Sequence, residues 1–331
     1  MISKILETLY SKVFINIISA QTSSTVYVEV VSRGEVSTSL SKSFQTKTIN
    51  AKMLEFVKLY TEESPFHYIT ILDKSDKQGF LPTCKDISKY TDEEFIKTIC
   101  VEKKYSLYTK ADSLKDIKYD YQSIGVDFIF SPFSILNRFF KDKINNDLAI
   151  FLLLEENHIS LSVFNKSKLL YAEYLDMKEN SFETDMLMDT ILDEDDDISL
   201  NIDDVNLDDL DADEDIGSLE DFSNIEDLDS GMDIEEFSEA EEVVESQVDD
   251  EPIDNINEDY KRFILIQDAI SAFYHDERFD SEFVEKIYIA DSINISKDLK
   301  KYLEEEMFLN VVVRKISLQE ELCDMAKMEL K

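Results

Sequence analysis

The sequence predicts an α/β protein made of two β-β-β-α-β halves, with a long acidic insert inside the second half. Two observations carry this prediction: an apolar meander at residues 149–175, and the same order of strands and helices on either side of residue 147. A third observation sets the insert apart, because residues 179–260 contain no Lys or Arg.

The meander shows three strand patterns in succession. Residues 149–154 (AIFLLL) form a continuous apolar run, which is typical of a strand buried on both faces. Residues 158–164 alternate apolar and polar side chains, as a strand with one buried face does. The polar residues 165–167 predict a tight turn into a third strand at residues 168–174.

The remaining elements give each half the same order. In the first half we expect strands at residues 13–19, 25–31 and 35–44, a helix at 51–63 with Asn50 as its N-cap, strands at 68–72 and 126–130, and a helix at 133–141 after Ser131-Pro132. In the second half, beyond the meander, we expect a helix at 259–275, a strand at 286–290, a helix at 296–307 capped by Ser296, a strand at 310–314 and a helix at 317–327. A repeat on this scale supports the duplication, because two independent errors seldom agree. A short helix is also expected at residues 1–12.

The sequence pattern of residues 83–122 differs from that of the residues around them and predicts a small inserted subdomain. Thr91 and Glu94 have the spacing of a capping box, which predicts a helix through Cys100. A strand is expected at residues 105–109.

These patterns predict a domain organisation with one interruption. Residues 1–146 form the first lobe with its inserted subdomain, and residues 147–180 with 259–331 form the second lobe. Residues 181–258 are an acidic low-complexity insert whose self-repulsion predicts disorder.

The formal charge of −39 is concentrated in the insert. Residues 179–260 hold 35 of the 73 acidic residues, so the rest of the chain carries 38 acids against 34 bases. A nucleic acid partner is not expected, because phosphate binding requires a basic surface.

Cysteine usage and hydropathy predict a cytoplasmic protein. Cys84, Cys100 and Cys323 have wide, unpatterned spacing, which predicts neither a zinc site nor a disulfide framework. The longest apolar runs fall short of the roughly 20 residues of a membrane span. We therefore expect recruitment to a membrane by another protein.

Residues 283–313 (FVEKIYIADSINISKDLKKYLEEEMFLNVVV) resemble a strand-turn-helix-strand segment of the PilM family, and residues 260–274 resemble the helix before it. PilM and the cytoplasmic part of GspL are actin-like assembly proteins of the actin/Hsp70/sugar-kinase superfold, whose lobes are RNase H-like β-β-β-α-β halves. The resemblance implies a cytoplasmic scaffold that captures the tail of a PilN-like inner-membrane protein and forms rings or filaments. The machine it implies is a pilus, a type II secretion or DNA-uptake system, or a flagellar motor with pilus-like parts.

Active members of the superfold hold nucleotide phosphates in glycine-bearing turns, and the corresponding turns here lack glycine. Glycine lets backbone N–H groups approach phosphate oxygens without a Cβ in the way. The degenerate positions are Ser19, Thr22 and Ser23 in the first turn, Glu155, Glu156 and Asn157 in the second, and Asp291 in the third. The sequence therefore predicts no catalysis, no cofactor and no metal ion.

A counter-hypothesis keeps nucleotide chemistry: the Ser19, Thr22 and Ser23 hydroxyls bind phosphate unaided, and Asp73 or Asp291 holds the metal. This alternative makes the chain a nucleotide hydrolase with unusual phosphate turns. The three histidines are scattered and suggest no other catalytic site.

The acidic tract offers a third function, that of a soluble adaptor. Apolar residues spaced by three suggest one helical face that binds a basic, grooved partner: Ile216, Leu219, Phe222, Ile225 and Leu228. A solvating spacer explains the same composition. Asp193, Asp195 and Asp197 resemble the start of a calcium loop, but Ile198 occupies the position that requires glycine.

Overall fold

The computed structural model of the chain describes residues 10–178 and 253–330, with side chains in the second range from residue 258 onwards. These residues all lie in one unit, Met1–Met186 with Glu251–Lys331. The strands are β1 Lys12–Ser19, β2 Ser24–Ser32, β3 Glu35–Phe44, β4 Phe66–Leu72, β5 Gln78–Leu81, β6 Ile96–Val101, β7 Tyr105–Lys110, β8 Phe128–Phe130, β9 Leu148–Leu154, β10 His158–Asn165, β11 Lys168–Asp176, β12 Lys286–Asp291 and β13 Asn310–Lys315. The helices are α1 Ala51–Thr61, a 3₁₀ turn Ile87–Lys89, α2 Ala111–Asp120, α3 Pro132–Phe139, α4 Lys141–Ile144, α5 Ile253–His275, α6 Lys297–Glu305 and α7 Leu318–Glu329.

Two five-stranded sheets have the same topology. The first has the order β3-β2-β1-β4-β8 and the second the order β11-β10-β9-β12-β13. In each sheet the three meander strands are antiparallel, and the two later strands run parallel to the first meander strand. Both halves are therefore β-β-β-α-β units of one topology, which confirms the predicted duplicated α/β fold.

The apolar run at the start of the second meander becomes the central strand of its sheet. β9 lies between β10 and β12, and every residue from Ala149 to Leu154 is buried. Helix α5 packs on β10 and β11 on one side, and α3 packs on β9 and β10. A strand covered on both faces requires continuous apolar sequence, which explains the pattern.

The helix starts follow their capping residues. The Asn50 Oδ1 atom accepts a hydrogen bond from the Met53 N–H at 2.9 Å, which begins α1 as predicted. Ser296 Oγ accepts from the Asp298 N–H at 3.0 Å and begins α6. Such caps satisfy N–H groups that have no partner within the helix.

One helix from each half packs on the sheet of the other half. Helix α3 follows β8 of the first sheet but contacts β9 and β10 of the second, whereas α7 follows β13 but contacts β1 and β4 of the first. The two helices also contact each other, and Arg138 of α3 is paired with Glu321 and Asp324 of α7. One apolar core therefore joins the halves, and its largest fully buried members include Phe133, Phe140, Phe151 and Phe164.

The helix predicted from Thr91 to Cys100 is wrong. The segment forms strand β6, which pairs with β7 in an antiparallel hairpin, and β7 also pairs with β5. Val101 pairs with Tyr105, so the hairpin loop has three residues, Glu102–Lys104, of which Glu102 and Lys103 have positive φ, of 49° and 60°. The β-branched residues of β6 and this turn outweigh the capping-box spacing. Strand β5 and helix α2 were not predicted.

The expectation that the cysteines form no disulfide is also wrong. Cys84 is bonded to Cys100, with their Cα atoms 5.4 Å apart. Strand β6 carries Cys100 beside the segment that follows β5, so the small sheet brings together two residues that are 16 positions apart in sequence. Cys323 is a free, buried thiol.

Two further predictions lie largely outside the described residues: the state of the acidic insert, and the helix at residues 1–12, of which only residues 10–12 are described and are not helical. Among the helices of the described ranges, none combines the length and apolarity that crossing a membrane requires.

Candidate functional site

The three degenerate turns meet at one edge of the paired sheets. They follow the carboxyl ends of β1, β9 and β12, and in open α/β sheets this is where ligands bind. Gln21 Nε2 donates to Asn157 Oδ1 at 2.7 Å, which joins the first turn to the second. Ser292 Oγ donates to the Leu154 carbonyl at 2.6 Å, which joins the third turn to the second.

In the first turn, the hydroxyl closest to the sheet is already engaged. Ser19 Oγ lies 2.7 Å from the Tyr121 hydroxyl and 3.2 Å from Ser24 Oγ. Burial raises the pKa of Tyr121, so this phenol stays protonated and able to donate. Thr22 is exposed and Ser23 is half-buried. Of the three predicted phosphate-binding hydroxyls, that of Ser19 is therefore held by protein contacts, and the turn has no glycine.

The second turn places a buried carboxylate at the mouth of the site. Glu155 is 1% exposed, and Lys74 Nζ lies 2.8 Å from its Oε2. Neither Glu155 oxygen accepts a hydrogen bond within the described structure, because the ammonium is at ion-pair distance but outside hydrogen-bonding geometry. Glu156 is exposed beside it.

The third turn is closed by its own aspartate. Asp291 is buried, and its Oδ1 accepts from the Ile293 N–H at 3.0 Å and from the Ile295 N–H at 3.3 Å. Asp73, the other candidate for a metal, is also buried and accepts hydrogen bonds from the backbone and hydroxyl of Ser75 at 2.9 Å and 2.6 Å. Both carboxylates therefore accept hydrogen bonds from their own loops, which fixes the local backbone.

A cavity of about 570 Å³ opens beside the third turn. Its walls are helix α5, the Glu156 side of the second turn and the segment after β12: Glu156, Glu258, Asp259, Arg262, Ile293, Asn294, Ile295 and Ser296. Three carboxylates and one guanidinium give this lining a net negative charge.

Among the described residues that line the cavity, the one cation is Arg262, and two acids of its own helix hold it. Arg262 is buried and lies 2.8 Å from Asp259 and 2.9 Å from Glu258. Asp259 also accepts the N–H and hydroxyl of Ser296 at 3.1 Å and 2.5 Å. Sequence reasoning missed this pair, although acids three and four residues before an Arg on a helix are a readable signal.

The remaining predicted site residues cannot be placed. Ile216, Leu219, Phe222, Ile225 and Leu228, and the calcium-like Asp193–Asp197 run, lie outside the described residues. Of the five glycines in the sequence, none falls in the three turns: Gly34, Gly79, Gly125, Gly217 and Gly231.

Two sequence families match the chain. Residues 150–331 match the family described as Domain of unknown function (DUF8341), and residues 10–137 match the one described as Domain of unknown function (DUF8569). No curated protein matches the chain.

Several solved structures are similar in fold. A protein from Bacteroides thetaiotaomicron VPI-5482, described as having an actin-like ATPase fold and unknown function, is 10% identical with a TM-score of 0.42, and the match covers 96% of this chain and 97% of that one. A PilM–PilN type IV pilus biogenesis complex is also 10% identical with a TM-score of 0.42, covering 95% of this chain and 94% of that one. An Aquifex aeolicus member of the Ppx/GppA family is 8% identical with a TM-score of 0.28, and the match covers 56% of this chain and 61% of that one.

Proposed function

The chain belongs to the family described as Domain of unknown function (DUF8341), and on that premise we propose that it is a non-catalytic, actin-like scaffold. The observation that carries the proposal is the state of the three turns. Each turn lacks glycine, and one side chain in each is already hydrogen-bonded within the protein: Ser19 to Tyr121, Asn157 to Gln21, and Asp291 to the Ile293 N–H.

Electrostatics argues in the same direction. Glu155 and Glu156 stand in the second turn, and Glu258 and Asp259 line the adjoining cavity. Two unit charges of the same sign 4 Å apart cost about 4 kcal/mol at an effective dielectric constant of about 20. A triphosphate would meet several such carboxylates with Lys74 and Arg262 already paired, so its binding is disfavoured.

The partner we propose is the cytoplasmic tail of a PilN-like inner-membrane protein. This follows from the resemblance of residues 283–313 to the PilM family. The protein would then lie at the cytoplasmic face of a pilus, type II secretion or flagellar motor-type machine, recruited to the membrane through its partner. We keep the proposed lobes, residues 1–146 and residues 147–180 with 259–331, and a homo-oligomeric ring as parts of this hypothesis.

Calorimetry of the full chain with Mg-ATP tests the absence of nucleotide chemistry. We expect no heat of binding at micromolar protein and up to millimolar nucleotide. Micromolar binding would overturn the proposal and favour the hydrolase alternative, for which the 570 Å³ cavity is the supporting observation because ligand sites of about 300–1,000 Å³ accept small molecules. Adenosine without phosphates is the matched ligand, since its binding would locate the interaction in that cavity.

The tail of a PilN-like protein, labelled with a fluorophore, tests the partner by anisotropy. Deleting Leu187–Asp250 leaves the unit that contains both sheets intact and removes the acidic segment. A scaffold retains its affinity for the tail in the deleted chain, whereas the adaptor hypothesis requires that affinity to be lost. Failure of both forms to bind the tail would refute the proposed partner.

A further inference from the structure

Three metal-ligating side chains from separate segments converge beside the second turn. The ligand atoms of Asp76, His158 and Asp176 all lie within 4.8 Å of one another. We propose that these residues bind one divalent transition-metal ion of the zinc class, which ties the segment between β4 and β5 to the β10–β11 hairpin.

The hairpin register presents two of the ligands together. His158 begins β10 and Asp176 ends β11, and the two are directly opposite in the antiparallel ladder. The Tyr174 ring stacks on the imidazole, with centroids 5.0 Å apart and planes inclined by 12°. The ring of His158 is therefore held in one orientation, which a metal ligand requires.

The third ligand comes from the first half of the chain. Asp76 lies in the segment after β4, and its Oδ1 is 3.7 Å from His158 Nε2, which is too long for a hydrogen bond. Asp176 Oδ1 accepts the Lys178 N–H at 2.9 Å. Each of the three side chains thus keeps at least one ligand atom that no strong hydrogen bond occupies.

A second observation is an unpartnered polar group beside these ligands. The buried hydroxyl of Tyr174, whose ring stacks on His158, has no hydrogen-bond partner within the described structure. The nearby carboxylate of Glu155 already has a cation, because Lys74 Nζ lies 2.8 Å from its Oε2, and we do not count it as a ligand. Buried polar groups without partners are rare and call for an unseen ion or water.

Two of the three proposed ligands carry negative charge. The ligand atoms of Asp76 and Asp176 lie within 4.8 Å of each other. A divalent cation bound between these two carboxylates would offset their mutual repulsion.

The ligand set selects the metal. Zn²⁺ and its neighbours accept an imidazole nitrogen with carboxylate oxygens, whereas Mg²⁺ and Ca²⁺ prefer oxygen ligands alone. Ligand atoms at about 2.1 Å from one ion lie at most about 4.2 Å apart, so a small movement is needed. Asp76, with a side chain 62% exposed, is free to rotate inward. Three protein ligands leave one position for water or for a partner's side chain.

Titration of the metal-free full chain with Co²⁺ tests the site, because Co²⁺ substitutes for Zn²⁺ and its visible absorption reports coordination. The titration is done in excess Mg²⁺, which occupies the carboxylates of the acidic tract. We expect one Co²⁺ per chain with a visible band that Zn²⁺ displaces. Absence of a stoichiometric band would overturn the proposal.

Substitutions locate the ion. We expect His158→Ala and Asp76→Asn each to weaken Co²⁺ binding at least tenfold, whereas His275→Ala, a change of the same type at an exposed histidine on α5, leaves it unaltered. Asp76 is exposed, so Asp76→Asn keeps the test valid if His158→Ala fails to fold. Co²⁺ affinity equal to that of the unsubstituted chain in Asp76→Asn would refute the site. The outcome does not depend on whether the chain is a scaffold.

Discussion

The two halves share a sheet topology but fill equivalent core positions with opposite chemistry. In the first half, Asn16 on β1 pairs with Thr70 on β4. In the second half, Phe151 on β9 pairs with Tyr288 on β12. Each pair lies three residues before the end of the first meander strand and faces the layer of α3 and α7.

Both pairs are buried, so exposure does not explain the difference. Asn16 Nδ2 donates to the Gln319 carbonyl of α7 at 3.0 Å, while Asn16 Oδ1 and Thr70 Oγ1 have no partner in the described structure. Phe151 stacks on Tyr288, with ring centroids 5.3 Å apart. The comparison teaches that the same strand order is reached with either a polar or an aromatic pair at this buried position.

The largest effect is expected at the aromatic pair. Phe151→Ala removes a fully buried ring from the core shared by both halves, so we expect the free energy of unfolding to fall by about 3–5 kcal/mol. Urea denaturation followed by circular dichroism measures it. Val36→Ala on the exposed strand β3 is the control, with a change within about 0.5 kcal/mol. Equal losses in the free energy of unfolding for Phe151→Ala and Val36→Ala would show that the aromatic pair adds no stability to the core.

A smaller, pH-dependent effect is expected at Tyr288. Burial and the hydrogen bond of its hydroxyl to Asp147 Oδ2, at 2.5 Å, raise the pKa of Tyr288 from 10.0 to about 12. The folded state therefore keeps a proton that the unfolded state loses above pH 10. The stability that the Tyr288 hydroxyl contributes to the fold is therefore fully present below pH 10 and is lost as the pH rises through 12.

Tyr288→Phe removes this contribution. We expect a loss of about 1 kcal/mol at pH 7 and a shallower decline in stability between pH 10 and 12 than in the unsubstituted chain. Urea unfolding across that pH range measures the slope, with Tyr10→Phe at an exposed tyrosine as the control. Parallel slopes for the Tyr288 variant and the unsubstituted chain would show that the hydroxyl does not contribute.

The smallest effect is expected at the polar pair, and with the opposite sign. Thr70→Val replaces a buried hydroxyl that has no partner by a methyl group of similar size, so we expect stability to stay equal or to rise by up to about 1 kcal/mol. Thr25→Val is the matched control, because Thr25 Oγ1 lies 3.1 Å from Ser43 Oγ on the sheet surface. A loss above 1 kcal/mol for Thr70→Val would mean that its hydroxyl is satisfied by an unseen water.

The strands and helix starts that depend on neighbouring residues could be predicted from the sequence. Contacts between residues distant in the sequence could not. The apolar run of β9 and the caps Asn50 and Ser296 were readable because strand burial and helix capping act over a few residues. The capping-box spacing of Thr91 misled, because pairing with β7 decides the conformation of β6.

In the candidate site, too, local features could be predicted from the sequence and contacts between distant residues could not. The absence of glycine from the three turns is visible in the sequence, as is the Glu155-Glu156 pair. The convergence of Asp76, His158 and Asp176 is not, since about 80 residues separate the first from the second and their contact depends on sheet register. The bond between Cys84 and Cys100 was missed for the same reason.

The exchange of α3 and α7 between the sheets has a consequence for biosynthesis. The ribosome delivers β1 and β4 early, yet the helix that covers them, Leu318–Glu329, is translated roughly 250 residues later. Until then the face bearing Phe14 remains open to water, and a nascent chain needs protection from aggregation over most of its synthesis. A premature stop codon before α7 would therefore expose the sheet of the first half, although that half is translated completely, and would also remove Leu322 and Met325 from the core shared by both halves.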